Sequence, residues 1–123
     1  MYLIDFNDFF ISLEKINSEN FETFFMVSKN APFQSLLIQN VKRNLNNKEI
    51  SFLAIRDFKL LPEFQNQGIF SKTIAIIESK EIPFIVDDII NPMLDIWLTK
   101  RDYISLETEK YSHIIKSRYK IKY

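Results

Sequence analysis

Leu60 to Ser79 reads LLPEFQNQGIFSKTIAIIES, and the rest of the chain is organised around it. It contains the one glycine of the protein, Gly68. A β-like run from Ile50 to Leu61 leads into the polar turn, and a helix-like run from Ile69 to Ser79 leaves it. The order strand, glycine-bearing turn, helix is a physical device for holding an anion. The first N–H groups of a helix lack internal partners and point outward, and the helix dipole adds a positive field there. A glycine at the turn lets another backbone come close, or lets φ become positive. The same order also serves as an ordinary strand-to-helix connection, so the flanking residues must be read as well.

Downstream, Ile82 to Val86 reads as a strand with Pro83 at its start, where a missing N–H is tolerated. Strand, loop, helix, strand normally gives parallel neighbours joined by a right-handed crossover. Asp87 and Asp88 follow the second strand. Asn91-Pro92 reads as a helix start, and Met93, Leu94, Trp97 and Leu98 give that helix an apolar face. Tyr103 to Leu106 reads as a strand. Residues 110–123 carry Lys110, Lys116, Arg118, Lys120 and Lys122 and no acid, which fits a terminal strand with a solvated basic face.

Upstream, Phe52, Ala54 and Arg56 share one face of the Ile50–Leu61 run, and Leu53, Ile55 and Asp57 share the other. A run apolar on both faces suits a central strand covered on both sides. Pro32 suits the first turn of a helix whose face carries Phe33, Leu36, Leu37, Asn40, Val41 and Leu45, with Asn44 to Lys48 ending it. Phe21 to Ser28 fits either a helix face or a strand. Asn7 or Asp8 can cap a helix running to about Ile16, and Met1 to Phe6 reads as a short strand.

Leu60-Leu61-Pro62-Glu63-Phe64-Gln65-Asn66-Gln67-Gly68-Ile69 resembles motif A of the GNAT (Gcn5-related) N-acetyltransferases. In that family a strand ends in a hydrophobic-x-Pro segment. A Gln/Arg-x-x-Gly-x-Gly/Ala loop and a helix follow. Gln65 and Gly68 fit the loop, and Phe70 stands where the family has Gly or Ala. Ile90 to Tyr103, INPMLDIWLTKRDY, resembles motif B: Asn91, Leu98, Lys100 and Tyr103 fit, and Asp102 replaces a glycine. The two motifs come in family order, and the likeness spans roughly Ile50 to Leu106.

The resemblance implies an α/β (α+β) fold with three layers. Its central mixed, mostly antiparallel sheet has parallel splayed strands in the middle and helices on both faces. The family's two strands before the splayed pair have no counterpart in this reading, because the Pro32–Leu45 helix runs almost directly into Ile50. The resemblance also implies acetyl-CoA as co-substrate, with no metal. Backbone at Leu60 and Leu61 would pair with the pantetheine arm. Gln65, Asn66, Gln67, Gly68, Ile69, Phe70 and Ser71 would hold the pyrophosphate, and Asn91 would contact the coenzyme.

Acetyl transfer to an amine needs a base, donors for the oxyanion and an acid for the departing thiolate. Many members place a tyrosine acid in the helix after the motif B asparagine. Here that region holds Trp97 and Leu98, leaving Tyr103 as the nearest candidate. Among Asp57, Asp87 and Asp88, ligand position beyond the carboxyl ends of parallel strands favours Asp87 and Asp88 as base. Their charges would also attract a cationic amine, although a double aspartate there also serves as a solvated turn. Tyr103 equally fits core packing.

The chain has 123 residues, suiting one domain, and its hydrophobic share of 46% with 12 Phe argues against disorder. No cysteine and one histidine exclude thiolate chemistry, disulfides and histidine-rich metal sites. Sixteen basic and sixteen acidic groups cancel, so no global field draws nucleic acid. No apolar run approaches the roughly 18 residues of a membrane span, and the first residues are no signal peptide. A cytoplasmic amine acetyltransferase is the first expectation. The second is a catalytically inactive GNAT-fold binding or regulatory protein encoded by a phage or mobile element, which the composition of an AT-rich genome suits. The many phenylalanines serve a core or a homodimer surface.

Overall fold

β1 (Phe24–Phe25), β2 (Phe33–Leu45) and β3 (Lys48–Leu60) are successive antiparallel neighbours. They belong to a computed structural model that describes residues 10, 11, 13, 14, 24, 25, 33–60, 68–110 and 112–122. Asn46 and Asn47 reverse the chain between β2 and β3 with φ of 51° and 64°. Two central residues at positive φ are what a tight hairpin loop needs, and asparagine enters that region more easily than most residues.

This hairpin corrects the expected helix from Pro32 to Leu45. The register is irregular between Phe33, Ser35 and Leu37, so two-residue alternation starts only at Leu37. The first irregularity puts the extra residue on β2, and the second puts it on β3. From there Leu37, Gln39, Val41, Arg43 and Leu45 share one face, while Ile38, Asn40, Lys42 and Asn44 share the other. Strand β2 thus lies directly ahead of β3, where the sequence reading placed a helix.

From β3 the chain passes through α1 (Ile69–Glu78) to β4 (Phe84–Val86), which lies parallel to β3. It continues through α2 (Pro92–Lys100) into the hairpin of β5 (Ile104–Lys110) and β6 (His113–Lys120). The strand order is β1-β2-β3-β4-β6-β5, and every neighbouring pair except β3–β4 is antiparallel. The parallel contact is short. The Leu53 amide donates to the Pro83 carbonyl at 3.0 Å, and the Asp87 amide to the Ile55 carbonyl at 3.0 Å. Beyond that point β3 continues with β2 to Leu60, whereas the Ile89 amide donates to Lys116 of β6 at 2.8 Å. The sheet therefore divides past Ile55 and Asp87.

One face is apolar and carries the helices. Ile38, Leu53, Ile55, Phe84 and Val86 of the sheet pack with Leu13, with Ile74 and Ile77 of α1, and with Leu98 of α2. Each such side chain contributes about 1.5–3 kcal/mol on burial. The opposite face holds a smaller cluster of Val41, Phe52, Ala54 and Ile85, flanked by Leu45, Ile50, Leu106 and Tyr119. β3 is thus buried on both faces, with the partition of side chains expected from its sequence. Among the described residues the helices pack on one face only, so of the three expected layers two are described.

Ion pairs fasten the helices to β6. Arg118 Nε lies 2.7 Å from Asp95 Oδ1, Lys120 Nζ lies 3.1 Å from Glu78 Oε2, and Arg101 also pairs with Glu78. The basic carboxyl-terminal strand is therefore not simply a solvated face: Arg118 and Lys120 turn inward to α2 and α1. Met93, expected on the apolar face of α2, is exposed, whereas Leu98 is buried and Leu94 and Trp97 are half-buried. Near the amino terminus Phe10, Ile11, Leu13 and Glu14 are helical, as expected, and of the ambiguous stretch Phe24–Phe25 is strand. The expected strand Met1 to Phe6 lies outside the described residues. No described helix is long and apolar enough to cross a membrane.

Candidate functional site

The division of the sheet and the start of α1 lie at the same end of the molecule. A crossover helix runs back against its two parallel strands, so its N-terminus sits beyond their carboxyl ends. Gly68 is the N-cap of α1, with φ 72° and ψ 11°. A Cβ there would meet nothing within 4 Å, so the glycine serves the left-handed backbone rather than close packing. The first intrahelical bond is Lys72 amide to Gly68 carbonyl, 2.9 Å. The helix start has no side-chain cap and no acidic residue in its first turn. Amides of Ile69, Phe70 and Ser71 thus precede the helical ladder, in a positive end field.

Phe70, which stands in place of a small residue, packs edge-on against Trp97 with ring centroids 5.3 Å apart. The benzyl group is directed toward α2. Ile69 is half-buried and Ser71 exposed. Leu60 ends β3, and Leu61, Gln65, Asn66 and Gln67 lie outside the described residues. Asn91 caps α2: its Oδ1 accepts from the Met93 amide at 2.9 Å, with Pro92 at the first helical position. Helix capping therefore accounts for one side-chain atom of Asn91.

The two adjacent aspartates have different environments. Asp88 is exposed, with φ 54°. Asp87 is buried, and its oxygens are met by three side chains from three strands. Arg43 Nη2 donates to Oδ2 at 2.6 Å, Arg56 Nε to the same oxygen at 3.1 Å, and Ser117 Oγ to Oδ1 at 2.6 Å. Asp87 follows β4 on the Ile85 face, directly across from Ser117, since Val86 pairs with Arg118. Arg43 lies opposite Ile50, well before Arg56 along β3, yet reaches the same carboxylate oxygen. The β2–β3 hairpin must therefore curl over this face.

Tyr103 is buried on the other side of the sheet. Its ring meets Phe84 edge-on at 6.0 Å, and Lys120 Nζ lies 5.3 Å from its centroid. The structure does not bring Asp87, Asp88 and Tyr103 to one point. Asp87 is enclosed by two guanidiniums, and Asp88 is the exposed carboxylate of the pair.

Sequence reasoning missed Arg43, Arg56 and Ser117 as a group. One signal was present: Arg56 shares a face with Phe52 and Ala54, and an arginine on a covered sheet face requires a partner. Arg43 was hidden by the helical reading of its strand. Among the described residues no cluster of three or more His, Cys, Asp or Glu could hold a metal. Comparison of the chain with protein-family models, curated proteins and solved structures finds no match.

Proposed function

We propose that this chain is an acetyl-CoA-dependent N-acetyltransferase of GNAT type acting on a small or protein amine. One observation carries the reading. The single parallel pair, β3–β4, parts past Ile55 and Asp87, and a glycine-led helix joins those two strands. These are the strands that bear the motif A and motif B resemblances, and they are where that family splays its sheet around the coenzyme. The β1–β2 pair ahead of β3 supports the same reading, since the family places two strands there.

In this account the backbone at Leu60 and Leu61 pairs with the pantetheine arm. The turn from Gln65 to Ser71 holds the pyrophosphate on backbone amides, and Asn91 borders the coenzyme. The coenzyme supplies a thioester whose carbonyl the amine attacks. Asp88 is the exposed carboxylate beside the division and takes the amine proton; Asp87 acts through the arginines it holds.

A second reading is favoured by the burial of Tyr103 at 3% and by the three donors on Asp87, which leave Asp88 as the one open group of the three. It is a GNAT-fold binding or regulatory protein without catalysis. Release of free thiol from acetyl-CoA across an amine panel separates the two. The enzyme releases thiol in proportion to acceptor, whereas the binder is stabilised by coenzyme and releases none.

A further inference from the structure

We propose that Arg43 and Arg56 form a receptor for an oxyanion, a carboxylate or phosphate group, on the sheet face opposite the helices. Assigning that anion to the amine acceptor rests on the acetyltransferase reading; the anion site itself does not.

Three observations carry the proposal. The first is charge. Two guanidiniums converge on a single oxygen of Asp87, so the cluster holds two positive charges against one negative. Among the regularly paired residues of β2 to β6, Asp87 with its partner Ser117 carries the one carboxylate on this face: its neighbours are Leu37, Gln39, Val41, Ile50, Phe52, Ala54, Ile85, Ser117 and Tyr119. Among those paired residues no second acid cancels the excess. The second is access. The Asp87 side chain is 0% exposed, whereas those of Arg43 and Arg56 are 21% and 27% exposed. Solvent meets the cationic part of the cluster and not the anionic part.

The third is donor geometry. Arginine has five N–H donors in a planar fork. Arg56 spends Nε on Asp87, and neither of its Nη groups has a partner among the described residues. Arg43 uses Nη2 on Asp87 and Nη1 on the Lys42 carbonyl at 3.3 Å. The unspent Arg56 fork is the arrangement that binds carboxylate or phosphate through two parallel bonds. Ser117 and Asp87 fix the position of that fork. Arg56 is also the first β3 residue past the parallel contact, so the receptor borders the division of the sheet. An acceptor whose amine reaches the division would set its own acidic group on this pair.

The test is a titration of the full chain followed by arginine side-chain NMR, at constant ionic strength. Acetate and inorganic phosphate are the probes, and acetamide is the neutral control. The proposal expects saturable shifts of the Arg43 and Arg56 resonances with either anion and none with acetamide. Arg56→Gln should weaken binding at least tenfold, and Arg56→Lys less. The stronger of the two anions identifies the class of group. Linear, non-saturating shifts equal to those of exposed Arg or Lys side chains would overturn the proposal, as would undiminished binding in a folded Arg56→Gln variant. Melting with acetyl-CoA is measured in parallel. Anion binding with no response to coenzyme leaves the receptor standing and removes the acetyltransferase reading. A coenzyme response with no anion binding removes the receptor alone.

Discussion

Replacing Asp87 by asparagine keeps the shape of the side chain and removes the charge that holds two arginines together. The wild-type carboxylate accepts three side-chain hydrogen bonds, two of them from guanidiniums. Hydrogen bonds to charged groups are worth about 1.5–3 kcal/mol each, and breaking a buried ion pair costs about 3–5 kcal/mol. Both figures need reduction here, because the partly exposed arginines can recover water. The amide oxygen also retains one acceptor role, while its NH2 group faces a donor. A net loss of about 3 kcal/mol results, a large part of the roughly 5–15 kcal/mol that holds a domain together. At this chain length that lowers Tm by roughly 10 °C. Urea unfolding followed by circular dichroism measures it, and Arg56→Gln completes a double-mutant cycle. The arginine substitution should cost less in the Asp87→Asn background than in the native protein. A loss below about 0.5 kcal/mol, the range of an ordinary surface substitution, would refute the claim that this carboxylate organises the face.

Other perturbations test the elements that frame the division. Asn91→Ala removes the acceptor of the Met93 amide and should cost about 1 kcal/mol in urea unfolding, with Asn91→Asp close to native. Gly68→Ala meets open space but keeps φ at 72°, so its cost, about 1 kcal/mol, is conformational, and Gly68→Asn should cost less. Asp95 has its pKa held below the ordinary aspartate value, first by the hydrogen bond from Arg118 and further by the charges of Arg118 and Lys116, against partial burial. A depressed carboxylate stabilises above its unfolded pKa, near 3.9, and that contribution is lost as pH falls through the folded value. Urea midpoints from pH 5 to 2 should therefore fall less steeply in Asp95→Asn than in the native protein. With the Asp95 side chain 41% exposed, screening keeps the effect small.

The central strand and crossover were legible because their signals are local. Apolar side chains on both faces of β3, Gly68 before α1 and Asn91-Pro92 before α2 each have a physical reason within a few residues. β2 was not legible, and the reasons can be named. One register irregularity, between Phe33 and Ser35, interrupts its ladder, and Arg43 puts a charge on the face that Val41 and Leu45 mark as covered. That charge makes sense only beside Asp87, distant in sequence. Asn46-Asn47 carried a hairpin signal that the helical reading absorbed as a helix end. The same long-range pairing hid the candidate site: Asp87 was legible as a residue beyond a strand, but its enclosure by Arg43, Arg56 and Ser117 depends on strand order. Phe70 could be recognised as a departure, though its packing on Trp97 depends on where α2 lies.

The most direct measurement is the melting temperature of the native chain against a concentration series of acetyl-CoA, with Gly68→Trp as control. A ligand bound only by the folded state stabilises by about 2.7 kcal/mol at 100 times its dissociation constant. The account predicts a rising, saturating increase in Tm that disappears when a bulky side chain occupies position 68 in a folded variant. A flat response up to millimolar acetyl-CoA would contradict it.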